Sequence, residues 1–108
     1  MRKGITSAPS GNQQLDPNTR DTLLAAIGRA RVWLRDLTDG RVSSFEEIAR
    51  REGKRERHVR LLAALAFVSP RIVAAIIEGN APAGLTVTGL ARALPTGWAE
   101  QERQIGIA

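Results

Sequence analysis

Helix punctuation constrains this chain more than any other feature. In "LDPNTRD", Asp16 can cap a helix and Pro17 fits its first position, where a missing N–H costs nothing. In "SSFEEIARREG", Ser43 faces Glu46 and Ser44 faces Glu47 three residues on, a doubled capping box. Gly53 follows where a left-handed cap would sit. In "SPRIVAAIIEGN", Ser69 caps, Pro70 takes the first position and Gly79 closes. A chain cut this way builds short helices.

Between these signals the apolar residues return at helical spacing. Leu23, Ile27, Ala30, Leu34 and Leu37 form one face, joined by Leu24 and Trp33, while Arg29, Arg31, Arg35 and Asp36 look outward. That predicts a first helix from residue 16 to about 38, ended by Gly40. A second, at 44–52, turns Phe45, Ile48 and Ala49 inward. A third, near 55–68, keeps Val59, Leu62, Ala63 and Ala66 on one face. A fourth carries Ile72, Val73, Ile76 and Ile77. After the loop "NAPAGL" comes a short helix from about Thr86, broken by Pro95, and a last helix with Trp98, Gln101 and Ile105 along one side. No strand signal and no internal repeat stands out. The expectation is an all-α bundle of five or six short helices containing a helix-turn-helix at about 44–68. Residues 1–15, rich in Ser, Gly, Asn and Gln, are expected to form a flexible N-terminal arm, and 16–106 the helical domain.

Several classes of function are disfavoured. Without cysteine there is neither a disulfide framework nor a thiolate metal site. His58 is the single histidine, and a zinc site around it would need carboxylates that the spacing does not supply. No metal and no cofactor is therefore expected. Glu100 and Glu102 read as surface carboxylates without acid–base partners, and no nucleophile, base and orienting group converge, so no catalytic residue is assigned. The longest apolar run falls far short of a membrane span, and "MRKGITSAPSG" lacks the apolar core of a secretory signal. A soluble, cytoplasmic protein with no membrane contact is expected.

Charge points to a partner. The chain holds 16 basic residues and a net charge of +5. Segment 50–60 gathers Arg50, Arg51, Lys54, Arg55, Arg57 and Arg60 against only Glu52 and Glu56, so this stretch carries most of the excess. Clustered positive charge is the footprint of a polyanion binder. It lies on a pattern suited to a helix-turn-helix: small Ala49, Gly53 for the turn, and Val59 and Leu62 as inward anchors of the second helix. Stepping 100° per residue from Val59 puts Arg57, Arg60, Leu61 and Ala64 on the opposite, groove-facing side, with Lys54 nearby. An arginine fork can grip guanine O6 and N7 together, worth roughly 1–3 kcal/mol of discrimination. Arg50, Arg51 and Arg55, nearer the edges, suit phosphates. Glu56 can orient Arg60 as an i,i+4 pair or accept from a cytosine amino group. Beyond Leu61 the helix turns apolar all round through Leu65, Phe67 and Val68, so later helices should wrap that half. The expected partner is double-stranded DNA. The competing reading is a helical protein-interaction domain with an apolar patch at Leu61, Leu65 and Val68, the arginines being its solubilising rim. Trp33 and Trp98 read as packing anchors rather than base-stacking platforms.

The run from "SFEEIARREGKRERHVRLLAALAFVSPRIVAAI" to "LPTGWAEQERQIGI" resembles the C-terminal segment of phage-type large serine recombinases of the resolvase/invertase family. "AFVSPRIVAAI" and "LPTGWAEQ" are its distinctive elements, and the likeness covers about residues 15–107. The resemblance implies a DNA-binding appendage without the family's catalytic domain or its zinc-binding cysteines. It makes a recombinase catalytic domain, or a second copy of the chain, the expected protein partner. Since the chain begins with its own Met, a split or truncated recombinase product is expected. Arg55 stands where many members have Asp or Ser, His58 where many have an aromatic, and Leu61 where many have a polar residue. "HVRLLAALAFVSPRIVAAIIEGN" and the following "GLARAL" are also similar to the helix-turn-helix of ParB-type partition proteins. A partition or transcription-regulator domain is the alternative that this likeness implies.

Overall fold

A computed structural model describes residues 15–94 and 97–106. The expected arm, apart from Leu15, and the break at Pro95 lie outside the described residues. Leu15 itself is buried in the core, so the packed residues include the one before the cap.

The described residues form six α-helices and no strand. They are α1 (Pro17–Thr38), α2 (Phe45–Glu52), α3 (Glu56–Ala63), α4 (Pro70–Glu78), α5 (Val87–Ala93) and α6 (Trp98–Ile105). The caps are where local chemistry puts them. Asp16 accepts from the N–H groups of Asn18 and Thr19, Ser44 from Glu47, Ser69 from Arg71 and Ile72, and Thr86 from Gly89. Glu47, not Glu46, reaches back to Ser43, accepting from its N–H at 2.8 Å and from its hydroxyl at 3.0 Å. The box is therefore single: one carboxylate serves the residue ahead of the cap.

At 22 residues, α1 is the spine, and α3, α4, α5 and the 3₁₀ turn Ala64–Phe67 all pack on it. Its Leu23, Ile27, Ala30 and Trp33 meet Ile48, Val59, Leu65, Ile72, Ile76 and Leu90 in one core. Each large aliphatic side chain fully buried there contributes about 1.5–3 kcal/mol. Leu34 and Leu37 stay half-buried at the edge.

Four positions depart from the periodicity, three of them for a long-range reason. Asp36, expected outward, is buried, because Arg41 and Arg51 reach it at 3.3 and 3.2 Å. Glu102, expected on the surface, is buried against α4, where the Ser69 hydroxyl donates to it and Arg71 pairs with it at 3.5 Å. Its neighbour Gln101 accepts from the Ser69 N–H at 2.8 Å and donates to the Phe67 carbonyl at 3.1 Å. These bonds set the inward face of α6, and Trp98, one turn earlier, is left 55% exposed. Ile77 is likewise exposed, since Ile72 and Ile76 already fill the face that α4 turns to the core.

The third helix is also shorter than its pattern predicts. It ends at Ala63 and tightens into the 3₁₀ turn, after which Val68 and Ser69 are extended. Pro70 explains the conformation of Ser69, because its ring drives the preceding residue out of the helical region. Leu65 and Val68 are buried as expected, but Phe67 is exposed. Among the described residues no single helix is long and apolar enough to cross a membrane.

Candidate nucleic-acid interface

Helix α2, a three-residue turn and α3 pack against one another. Gly53 takes φ 69°, ψ 33°, a left-handed conformation that a Cβ would strain. From it the Lys54 N–H bonds back to the Ala49 carbonyl at 2.9 Å, closing α2. Ala49 is buried, and Val59 and Leu62 plug the junction from α3, as their spacing predicts. Arg55 caps α3 without a side-chain bond, so the first N–H groups of this helix receive no help from a cap side chain.

The predicted contact residues divide into two groups. Arg51 is held by Asp36, with Glu52 at 3.9 Å, and braces α2 against α1. Arg60 is held by Glu56, its Nε donating at 2.8 Å, and its guanidinium lies over the Phe45 ring. The i,i+4 pairing read from the sequence is thus formed, and it ties this arginine to the helix surface. In contrast, Arg50, Arg55 and Arg57 are exposed, Lys54 is half-buried, and among the described residues none of these four has an ion-pair partner. Leu61 and Ala64 are half-buried, Leu61 at the margin of the core rather than on an open face.

Arg55, Arg57, His58 and Leu61 line a cleft of about 400 Å³, and its remaining wall is Arg92 of α5. Sequence reasoning missed Arg92. Leu90 and Ala91 are buried and could have marked the next residue as outward, but nothing local says that α5 packs on α3. On the far side of α2, the Ser43 N–H, joined by the Ser43 hydroxyl, holds the Glu47 carboxyl below the usual carboxylate range, outweighing desolvation. Among the described residues no cluster of His, Cys, Asp and Glu could hold a metal ion. The patch proposed at Leu61, Leu65 and Val68 is not a surface, because Leu65 and Val68 are buried. No family model, curated protein or solved structure matches the chain.

Proposed function

We propose that the chain is a DNA-binding module in which α2, the Gly53 turn and α3 act as a helix-turn-helix, with no catalysis of its own. The observation that carries this reading is Arg55 and Arg57 at the start of α3, exposed and without carboxylate partners among the described residues. In that setting Arg57 is placed to reach base edges, while Arg50, Lys54 and Arg55 suit phosphates. The likeness of "AFVSPRIVAAI" and "LPTGWAEQ" to serine recombinases favours a recombinase setting over the partition or transcription-regulator alternative. One such unit buries little surface, so tight binding calls for a second copy or a catalytic domain beside it. Titrating the ¹⁵N-labelled chain with a random duplex tests the assignment. Amide shifts should concentrate between Gly53 and Leu61. Shifts confined to α4 and α6 would overturn it.

The protein-interaction reading keeps one support in a different place. Phe67, Ile77 and Trp98 are each more than half exposed.

A further inference from the structure

We infer that Arg92 belongs to the DNA interface, and that the cleft it shares with Arg55, Arg57 and His58 is a seat for one backbone phosphate. The inference rests on the helix-turn-helix reading above and extends the contact surface to a helix outside that unit.

Thr86 caps α5 by accepting from the Gly89 N–H, and buried Leu90 and Ala91 fix it against the body of the domain. Helix α5 packs on α3. Arg92, next in sequence, is thereby carried to the exposed side and into the wall of the cleft. Two helices thus bring three guanidiniums and an imidazole around one space of about 400 Å³, with Leu61 the single apolar residue lining it.

Like charges gathered in this way repel one another. Several arginines elsewhere are compensated: Arg51 has Asp36, Arg60 has Glu56, Arg71 has Glu102 and Arg103 has Glu100. Arg29, Arg31, Arg35 and Arg50 have no ion-pair partner among the described residues either, so what sets Arg55, Arg57 and Arg92 apart is that they line one cleft. Among the described residues no carboxylate compensates Arg55, Arg57 or Arg92. A concave site lined by uncompensated charge focuses the field and gathers anions. Guanidinium forks match phosphate oxygens bidentately, and here the cleft is lined by arginines from two helices. The cleft opens beside the exposed start of α3, so a phosphate seated in it would fix how that helix enters the groove. A contact to phosphate reads no base edge, so the contribution of Arg92 should not depend on base sequence.

The test is anisotropy on two labelled duplexes of unrelated sequence across a salt series. The full chain is compared with Arg92→Ala, Arg92→Lys, Arg57→Ala and Arg103→Ala. Arg92→Ala should weaken binding several-fold and equally on both duplexes, and lower the log–log salt slope by about 0.9, one phosphate. Arg92→Lys should recover part of the loss. Arg103→Ala removes the same charge from α6 and should change little. A circular-dichroism melt for each variant checks folding, which an exposed side chain should not perturb. Wild-type binding by Arg92→Ala beside a weakened Arg57→Ala would overturn the seat and leave the helix-turn-helix standing. Equal losses in Arg92→Ala and Arg103→Ala would reduce the effect to net charge and also overturn it. Failure of the wild type to bind either duplex at low salt would remove the helix-turn-helix reading, and the seat with it.

Discussion

The Arg60 guanidinium lies 5.1 Å from the centroid of the Phe45 ring, joining the third helix to the first residue of the second. With Glu56 gripping the same group, Arg60 stabilises the pairing of α2 and α3 instead of extending toward a ligand.

Stability and DNA affinity should therefore separate at Arg57 and Arg60. An exposed cation–π contact is worth about 0.5–1 kcal/mol, and an exposed i,i+4 pair adds a few tenths. Arg60→Ala should cost roughly 1 kcal/mol in urea denaturation, while Arg57→Ala stays within about 0.5 kcal/mol. For duplex binding the order should reverse, with Arg57→Ala the more damaging. A larger affinity loss from Arg60→Ala would mean that its guanidinium leaves Phe45 to reach DNA.

Asp36 offers a second test, because its buried carboxylate receives both Arg41 and Arg51. Hydrogen bonds to a charged group contribute about 1.5–3 kcal/mol, and the partly exposed arginines lower that. Asp36→Ala should destabilise by about 1–2 kcal/mol, and Arg51→Ala by less than about 1 kcal/mol. If Arg51→Ala instead abolished DNA binding with stability intact, Arg51 would be a contact residue and not a brace.

Ser69 does two jobs at once, capping α4 and donating to buried Glu102. Losing the cap costs about 1 kcal/mol, and leaving a buried acceptor short of a donor costs about 1–3 kcal/mol. Ser69→Ala should lower stability by about 2–3 kcal/mol, or the Tm by roughly 10–20 °C. A Tm within a few degrees of wild type would show that α6 is held by something other than this polar clasp.

These residues also mark where the sequence was legible. Asp16, Ser44 and Ser69 cap helices as their positions predict, because a cap is written within three or four residues. The inward stripe at Leu23, Ile27 and Ala30 was readable for the same local reason. Asp36 and Arg51 are fifteen residues apart, and Ser69 and Glu102 thirty-three, so periodicity assigned both carboxylates to solvent. At the candidate site, the exposure of Arg57 followed from its angle to Val59. The pinning of Arg60 on Phe45 and the arrival of Arg92 did not, since both depend on how helices cross.

Glu47 supplies a pH test. Its carboxyl sits below the ordinary range in the folded chain, chiefly through the Ser43 N–H. The contribution is therefore complete above roughly pH 4.3, the ordinary glutamate value, and fades as pH falls through the lowered folded-state value. Glu47→Gln should melt below wild type at pH 7, and the gap should close under acid conditions. A gap that widened on acidification would contradict the assigned bonds.

The central claim is that Arg55 and Arg57, at the start of α3, form a working DNA contact. The most direct measurement is fluorescence anisotropy of a random-sequence duplex at two or three salt concentrations, with wild type beside the Arg55→Ala/Arg57→Ala pair. The account predicts binding that weakens with salt, by about 0.9 in log–log slope per phosphate neutralised, and that the double change sharply reduces. Absence of binding at low salt would contradict it, and would turn attention to a protein partner at Phe67, Ile77 and Trp98.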